Sequence, residues 1–324
     1  MSLLETVPNL SEGRDSRRID RIVAALEVRR LCVLDVSADA DHHRTVVTAV
    51  GEAGDLAMGL EAFTAAALAQ VDLRSHRGVH PRLGVVDVVP IVPLPGATMA
   101  EAAACARDVG LRLGEGLDLP VFLYGHASPL AGVATAPGSA RRRPIDLRRL
   151  GEEGVAAAIA AGDLVPDFGP ARVDPARGVT LVGARPPMVA FNVVLDTGDV
   201  RIARAIAAKV RAAGGGLPGV EALGLGLPGR GLAQVSTNVH ATGANSEGFA
   251  FETTLSHLAA RVQAEAEALG ATIVDTEIVG LVPRDALRGW GPQLPGVAPS
   301  EILEKALESE GCPSGRAVRG RRPS

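Results

Sequence analysis

Aromatic side chains are scarce in this sequence: they make up 2% of its 324 residues, as six Phe, one Trp and one Tyr. A surface that stacks nucleic-acid bases needs several such rings, so this composition argues against one. The formal net charge of −4 also disfavours a nucleic-acid partner, which requires excess positive charge. We therefore expect a hydrophobic core built mainly from Ala, Val, Leu and Ile.

Cysteine and long apolar runs are scarce as well. Cys32, Cys105 and Cys312 form no Cys-x-x-Cys pair, which disfavours a disulfide scaffold and a structural zinc site. Charged residues, Gly or Pro interrupt the apolar runs before they reach membrane-spanning length. The N-terminus lacks the basic start and apolar run of a signal peptide. We therefore expect a cytoplasmic protein without a membrane partner.

The first half of the chain alternates apolar runs with helical patterns. These patterns predict strands near residues 3–10, 31–37, 44–51, 85–93 and 120–125, and helices near 15–26, 56–70, 98–114 and 147–161. Thr98 and Glu101 have the spacing of a capping box. The alternation predicts an α/β subdomain with a mixed sheet over residues 1–187.

The second half predicts strands at 188–195, 220–227, 232–239 and 271–282, with helices at 200–213 and 251–269. This β-α-β-β-α-β order is that of the ferredoxin-like motif, which we assign to residues 188–298. A C-terminal helix and an unstructured basic tail are expected in residues 299–324. The fold class is thus α+β or mixed α/β, with two subdomains and a ligand cleft between them.

Two short motifs are open to more than one interpretation. Gly224 to Gly229 matches the Gly-x-Gly-x-x-Gly dinucleotide pattern, but a strand follows it instead of a helix, which favours a hairpin turn. Residues 39–44, Asp-Ala-Asp-His-His-Arg, contain types that bind metals. Adjacent histidines in a strand point to opposite faces, so we favour a polar loop in which Arg44 reaches an anion.

The sequence "RSHRGVHPRLG" carries Arg74, His76, Arg77, His80 and Arg82 just before a buried strand. A solvated loop is one interpretation. The other is a site in which nearby guanidiniums hold the His80 imidazole neutral, so that it accepts a proton, and attract a carboxylate substrate.

Two further segments offer polar groups to a ligand. The loop 169–178 is either a linker or an anion-binding loop. Its residues are Gly169, Pro170, Ala171, Arg172, Val173, Asp174, Pro175, Ala176, Arg177 and Gly178. Alternation along the predicted strand 232–239 places Gln234, Ser236 and Asn238 on one face.

Eight segments follow one another along the chain: "VPNLSEGRD", "DADHHRTVVTAVG", "HRGVHPRLGVVDVVPIVP", "PVFLYG", "VPDFGP", "VGARPPMVAFNVVL", "AQVSTNV" and "EIVGLVP". In this order they resemble the successive signatures of the glutamate formimidoyltransferase (formiminotransferase) family. The resemblance runs from Val7 to about Trp290 and does not include a cyclodeaminase domain. It implies a cytoplasmic, homodimeric enzyme of histidine catabolism and one-carbon metabolism. The implied reaction moves a formimino group from N-formimino-L-glutamate to N5 of tetrahydrofolate, giving L-glutamate and 5-formiminotetrahydrofolate. Tetrahydrofolate is the co-substrate, and no metal is implied.

The same resemblance assigns roles to residues. His80 matches the catalytic histidine of the family's Gly-x-His-Pro-Arg motif, and Gly169–Gly178 matches its folate-binding segment. The substrate-binding candidates are Asn9, Arg44, Arg82, Gln234 and Asn238. Ser37 stands where the family usually has an acidic residue, and His126 stands where it has a glutamate. These departures leave open another donor, such as formiminoglycine, and a folate-binding paralogue without transferase activity.

Overall fold

The computed structural model describes residues 2–27, 31–79, 81–128, 143–245, 248–290, 302–309 and 320–321. The chain divides into two compact units, Met1–Arg185 with Cys312–Ser324, and Pro186–Gly311. The first unit contains a mixed sheet and the second an antiparallel sheet, each with helices. The predicted mixed α/β class is confirmed.

The first sheet is mixed, because it contains both parallel and antiparallel strand pairs. Its described strands are β1 (Leu4–Thr6), β2 (Asn9–Leu10), β3 (Cys32–Asp39), β4 (Arg44–Gly51), β5 (Val86–Pro93), β6 (Val121–Gly125), β7 (Thr180–Ala184) and β14 (Gly320–Arg321). Their order is β14-β3-β4-β1-β5-β7-β6, and β2 pairs with β4 and β5. The pairs β5–β7 and β7–β6 are parallel, whereas β1 is antiparallel to β4 and β5.

One face of this sheet packs against α1 (Ser16–Glu27), α2 (Ala53–Leu68) and α3 (Met99–Leu111). The apolar residues of α1 recur at helical spacing and are buried, which is why this helix packs on the sheet. The capping box at the start of α3 is confirmed, because Thr98 Oγ1 accepts from the Glu101 amide and Glu101 accepts from the Thr98 amide. A π-helical turn, Arg112–Gly116, continues α3.

The opposite face has an apolar half and a polar half. Its apolar half, with Val88, Phe122 and Leu181, packs with residues of α4 (Pro144–Arg148) and α5 (Gly151–Ala161). Its polar half lies on β2, β3 and β4. Paired residues of antiparallel strands share a face, so the register places five polar residues together: Asn9, Asp35, Ser37, Asp39 and Arg44.

The second unit has the strands β8 (Met188–Leu195), β9 (Val220–Leu227), β10 (Leu232–His240) and β13 (Ile273–Val279), in the order β13-β8-β10-β9. Its helices α6 (Val200–Val210) and α7 (Leu255–Ala268) pack on one face. A small hairpin, β11 (Gly243–Asn245) with β12 (Gly248–Ala250), and α8 (Leu303–Ser309) complete the described strands and α-helices. The predicted β9–β10 hairpin is confirmed. A Cβ at Gly224 would collide with the backbone of α6, so this glycine serves helix packing and not dinucleotide binding.

Several elements differ from the sequence-based prediction. The first strand is split into β1 and β2 at Val7–Pro8, because proline has no amide hydrogen for a sheet. The short strand β7 was not predicted from a segment rich in Gly, Pro and Arg. Helix α7 begins at Leu255 and not at 251, because the Thr254 hydroxyl caps it. Gly320 and Arg321, predicted to be unstructured, pair with Val36 and Ser37, since backbone pairing needs no side-chain pattern.

Candidate functional site

The turn between β3 and β4 supports the segment that carries the cationic run. The Val79 amide donates to the Asp41 carbonyl at 3.2 Å. Gly78 lies so close to the backbone of His42 that an added Cβ would collide with it, and Gly13 approaches the same turn equally closely. Three segments that are distant in sequence therefore meet with their backbones in direct contact. His80, the predicted catalytic residue, lies outside the described residues.

Glu12 is a buried carboxylate at this meeting point. Its Oε1 accepts from the amides of Arg14, at 2.8 Å, and Asp15, at 3.2 Å, and its Oε2 accepts from Arg18 Nη1 at 2.5 Å. Burial raises the pKa of Glu12, but these hydrogen bonds and the nearby His43 outweigh it, so the pKa is lowered overall. Glu12 is therefore an anion at neutral pH.

Two histidine rings stack beside Glu12. The rings of His43 and His76 are 4.1 Å apart between centroids and nearly parallel, at 7°. His43 Nε2 lies 3.2 Å from Glu12 Oε1 and its Nδ1 lies 3.0 Å from the Arg77 carbonyl. His76 Nε2 lies 2.7 Å from the His43 carbonyl. Burial, more than the neighbouring cations, lowers the pKa of His76 to about 4.

Arg82, a substrate-binding candidate, already has several partners. Its Nε donates to His76 Nδ1 at 2.7 Å and its Nη2 to the Leu73 carbonyl at 3.2 Å. Its Nη1 lies 2.6 Å from Glu152 Oε2. These contacts hold the guanidinium in a defined position.

Arg44 lies on the polar half of the sheet face defined above. Burial, together with the Arg148 guanidinium, lowers the pKa of Arg44 to about 10, while Asp87 and Asp39 act in the opposite direction. Arg44 is therefore a cation at neutral pH in a half-buried position. A guanidinium there attracts the carboxylate of a ligand more strongly than one in water does.

Asn9 and Ser37 lie on the same half-face as Arg44. Asn9 is buried, and its Nδ2 donates to the Val7 carbonyl at 2.8 Å. The Ser37 hydroxyl donates to Asp35 Oδ2 at 2.7 Å. The Ser37 side chain is thus hydrogen-bonded to the aspartate two residues earlier, on the same strand and face.

The loop 169–178 packs beside the cationic segment. Leu73 N donates to the Ala176 carbonyl and Val85 N to the Arg177 carbonyl, both at 3.0 Å. Gly169 and Gly178 have φ of 80° and 72°, values that favour glycine. The structure therefore brings this loop next to the segment 73–85, which the sequence did not predict.

The two arginines of the loop differ. Arg172 is exposed, and its Nη2 donates to Asp118 Oδ2 at 2.6 Å. Arg177 is half-buried, and its backbone closes a turn with Asp174. Exposed ion pairs contribute little stability, typically about 0–1 kcal/mol, so Arg172 is available to an anionic ligand at small cost.

In the second unit, Gln234, Ser236 and Asn238 lie on the sheet face opposite α6 and α7, because Val235 and Val239 belong to the helix-covered core. Gln234 is buried, and its Oε1 has no hydrogen-bond partner among the described residues. On the neighbouring strand, Asn192 Nδ2 donates to Glu277 Oε2 at 3.3 Å. The predicted polar row thus includes a buried acceptor that a ligand could satisfy.

Two buried polar features were not predicted from the sequence: the ion pair between Asp87 and Arg148, and the burial of Tyr124. Arg148 Nη2 donates to Asp87 Oδ2, and Leu83 N donates to Asp87 Oδ1. Burial raises the pKa of Tyr124 to about 12, against the effect of Arg185, which hydrogen-bonds it. An aspartate inside the run "VVDVVPIVP" and the lone tyrosine of an aromatic-poor chain were the available signals.

Two findings concern what the described part of the chain lacks. Its residues include no group of three or more His, Cys, Asp or Glu side chains arranged to hold a metal ion. Among the same residues, each helix is too short or too polar to cross a bilayer.

Sequence profiles of known families match both units. The profile "Formiminotransferase domain, N-terminal subdomain" matches residues 3–185, and "Formiminotransferase domain" matches residues 190–291. The chain belongs to the formiminotransferase family. The resemblance drawn from its motifs is confirmed, and this family member is a transferase.

Curated relatives of this formiminotransferase carry names that agree with the family assignment. Glutamate formimidoyltransferase of Thermoplasma acidophilum is 37% identical over 312 residues, covering 95% of this chain and 98% of the relative. That of Streptococcus pyogenes serotype M1 is 36% identical, covering 88% and 90%. Formimidoyltransferase-cyclodeaminase of Rattus norvegicus is 37% identical over 88% of this chain, which spans 51% of the rat protein.

Proposed function

We propose that this chain transfers a formimino group from N-formimino-L-glutamate to N5 of tetrahydrofolate, giving L-glutamate and 5-formiminotetrahydrofolate. Two relatives named glutamate formimidoyltransferase, which align over nearly their whole length, support the reaction. The main structural support is the contact between the loop 169–178 and the segment 73–85. This contact places the predicted folate loop beside the segment whose sequence contains His80.

The proposed chemistry is a substitution at the formimino carbon. The N5 amine of tetrahydrofolate attacks this carbon and forms a tetrahedral intermediate. The bond from the carbon to the glutamate nitrogen then breaks. His80 takes the proton that N5 loses and returns it to the departing glutamate nitrogen, so that protons balance. Such proton transfer typically contributes roughly 10²–10⁴-fold, and positioning of the two substrates supplies further acceleration.

We assign anion recognition to arginines of the first unit. Arg44 and Arg82 bind the carboxylates of the formimino donor, and the Asn9 amide contacts a polar group beside them. Arg172 and Arg177, within Gly169–Gly178, bind the glutamate-tail carboxylates of the folate. The half-burial of Arg44 and the weak surface pairing of Arg172 support these roles.

In the second unit we assign Gln234 and Asn238 to ligand contacts, supported by the unpartnered Gln234 Oε1. The strand order β13-β8-β10-β9 supports classification of this unit as ferredoxin-like. The ligand cleft, the subdomain boundaries after residues 187 and 298, the homodimer and the cytoplasmic location remain predictions.

Ser37 and His126, which stand where the family has acidic residues, favour a second candidate function. A different donor such as formiminoglycine, or folate binding without transfer, would suit a site that lacks the two acidic residues. His80 and the loop Gly169–Gly178, both present in the sequence, favour an active enzyme. We therefore rank formimino transfer from N-formimino-L-glutamate first.

An assay of the purified chain separates these candidates. Tetrahydrofolate is combined with N-formimino-L-glutamate or with formiminoglycine, and the absorbance of the folate product is followed. Turnover with the first donor alone supports the proposal. Turnover with formiminoglycine alone would replace the donor, and folate binding without turnover would establish the non-catalytic paralogue.

Replacement of His80 tests the proton-transfer role. We expect His80→Ala to lower kcat by roughly 10²–10⁴-fold, because the intermediate then lacks its proton carrier. The melting temperature should stay close to that of the parent. His257→Ala, at an exposed position on α7, is the matched control and should retain full turnover. Parent-like turnover in His80→Ala would remove His80 from the mechanism.

A further inference from the structure

The stacked rings of His43 and His76 form a pair, called here the histidine pair, that no role assigned above explains. Both side chains are largely buried; His43 is 13% exposed in its side chain and His76 is 5% exposed overall. The rings come from different segments, since His43 ends the β3–β4 turn and His76 follows Leu73–Ser75. The pair therefore joins the turn to the cationic segment.

The hydrogen bonds of His76 define its protonation. Its Nε2 faces the His43 carbonyl, which only accepts, so Nε2 carries a hydrogen. Its Nδ1 faces Arg82 Nε, which only donates, so Nδ1 carries none. The ring is therefore neutral with its hydrogen on Nε2. Burial, which lowers the pKa of His76 to about 4, is consistent with this assignment.

His43 has the opposite requirement. Its Nδ1 faces the Arg77 carbonyl and its Nε2 faces the Glu12 carboxylate. The Arg77 carbonyl can only accept a hydrogen bond. The Glu12 carboxylate also only accepts, because hydrogen bonds from Arg18 and two amides keep it ionised. Only a doubly protonated imidazolium donates to both. Stacking a neutral ring on a cationic one avoids the repulsion that two cations would have at this distance.

Both rings hold residues that flank position 80 in the sequence. His43 binds the Arg77 carbonyl, and His76 binds the Arg82 guanidinium. Between these points, Gly78 lies against the backbone of His42 and Val79 N donates to the Asp41 carbonyl. The segment is thereby attached to the β3–β4 turn directly before position 80, and after it Arg82 is linked to the turn through His76.

We propose that the histidine pair is a positioning device for the segment Arg77–Arg82, with His43 acting as a cation and His76 as a neutral ring. The inference rests on the proposed transfer reaction, because position 80 carries the proton in that reaction. Loss of either hydrogen bond of His43 loosens the segment and lowers turnover. The pair makes hydrogen bonds to Glu12, the Arg77 carbonyl and Arg82, and Arg18 pairs with Glu12.

His43→Asn is the informative variant. The φ of His43 is 50°, a conformation that asparagine tolerates better than most residues, so the turn is retained while the titrating ring is lost. We expect kcat to fall by roughly tenfold, as for the loss of a single positioned hydrogen bond. The KM for tetrahydrofolate, which is assigned to the loop 169–178, should change by less than about twofold. His257→Asn, at an exposed position of α7, should keep the turnover of the parent.

Two measurements on ligand-free protein do not depend on turnover. Nitrogen NMR of ¹⁵N-histidine-labelled protein at pH 7 should show hydrogens on both ring nitrogens of His43 and only on Nε2 of His76. Trypsin should cut after Arg77 faster in His43→Asn than in the parent, because His43 holds the carbonyl of that bond.

A neutral His43 ring, or unchanged trypsin cleavage together with unchanged turnover in His43→Asn, would overturn the positioning role. A parent protein inactive with either donor would refute the proposed function instead, and the NMR and trypsin results would still decide on the histidine pair.

Discussion

Buried polar side chains near the β3–β4 turn are paired through hydrogen bonds whose direction fixes their charge. Glu12 accepts from two amides and Arg18, and His76 both donates and accepts. Removing one partner of such a group leaves a buried polar atom unsatisfied, which costs about 1–3 kcal/mol. At the residue scale, this part of the chain is therefore sensitive to protonation.

His76 should make the protein less stable in mild acid. The unfolded chain protonates this ring near pH 6.5, whereas the folded protein does so only near the lowered pKa of about 4. Stability therefore falls as the pH drops through that window, by on the order of 1–3 kcal/mol at its lower end.

His76→Gln, which does not titrate, should lose this dependence. Urea unfolding is measured at pH 7 and pH 4.5. The stability difference between the parent and His76→Gln should shrink towards the lower pH. A difference of equal size at both values would show that His76 is not kept neutral by folding.

At the scale of elements, close backbone approach brings loops to the site. Gly178 has φ of 72°, and an added Cβ would collide with the Leu83 carbonyl and Gly84. This contact lets the loop 169–178 lie against the segment before β5. Gly162, at the end of α5, has φ of 78° but open space around it.

Gly178→Ala should destabilise the first unit by about 1–3 kcal/mol more than Gly162→Ala does, because both suffer backbone strain but only Gly178→Ala also forces the loop outward. The folate KM should rise in Gly178→Ala and stay unchanged in Gly162→Ala. Thermal unfolding and folate titration of the two variants provide the measurements. Equal losses in both would reduce the role of Gly178 to its φ angle.

At the scale of the whole molecule, each unit has its own hydrophobic core. The single tryptophan of the sequence, Trp290, packs edge-to-face on Phe191 with centroids 6.0 Å apart. Its fluorescence therefore reports on the second unit. Phe122, fully buried in the first unit, belongs to a separate cluster.

Phe191→Ala should lower the urea midpoint reported by Trp290, since truncation of a buried Phe costs about 3–5 kcal/mol. Phe122→Ala should instead act mainly on the unfolding seen by circular dichroism, because its cluster does not include Trp290. An equal shift of the Trp290 signal in both variants would mean that the two cores unfold as one.

The predictability of the fold varied with the strength of the local signal. The long apolar runs of β4 and β5, the Thr98 capping box and the β9–β10 hairpin were all predicted, since each depends on neighbours in the sequence. Strand β7 was missed because five residues carry little periodicity, and its place between β5 and β6 depends on parallel pairing with distant strands.

The sequence by itself determined the family of this protein, the α/β alternation and the candidate residues His80, Arg44, Arg82 and Gly169–Gly178, since residue type and spacing carry that information. Only the tertiary structure decided that the loop 169–178 contacts the segment 73–85, that Glu12 lies beside His43, and that His43 stacks on His76. Those contacts join residues about 30 to 100 positions apart, and a chain brings such residues together only when its cores pack.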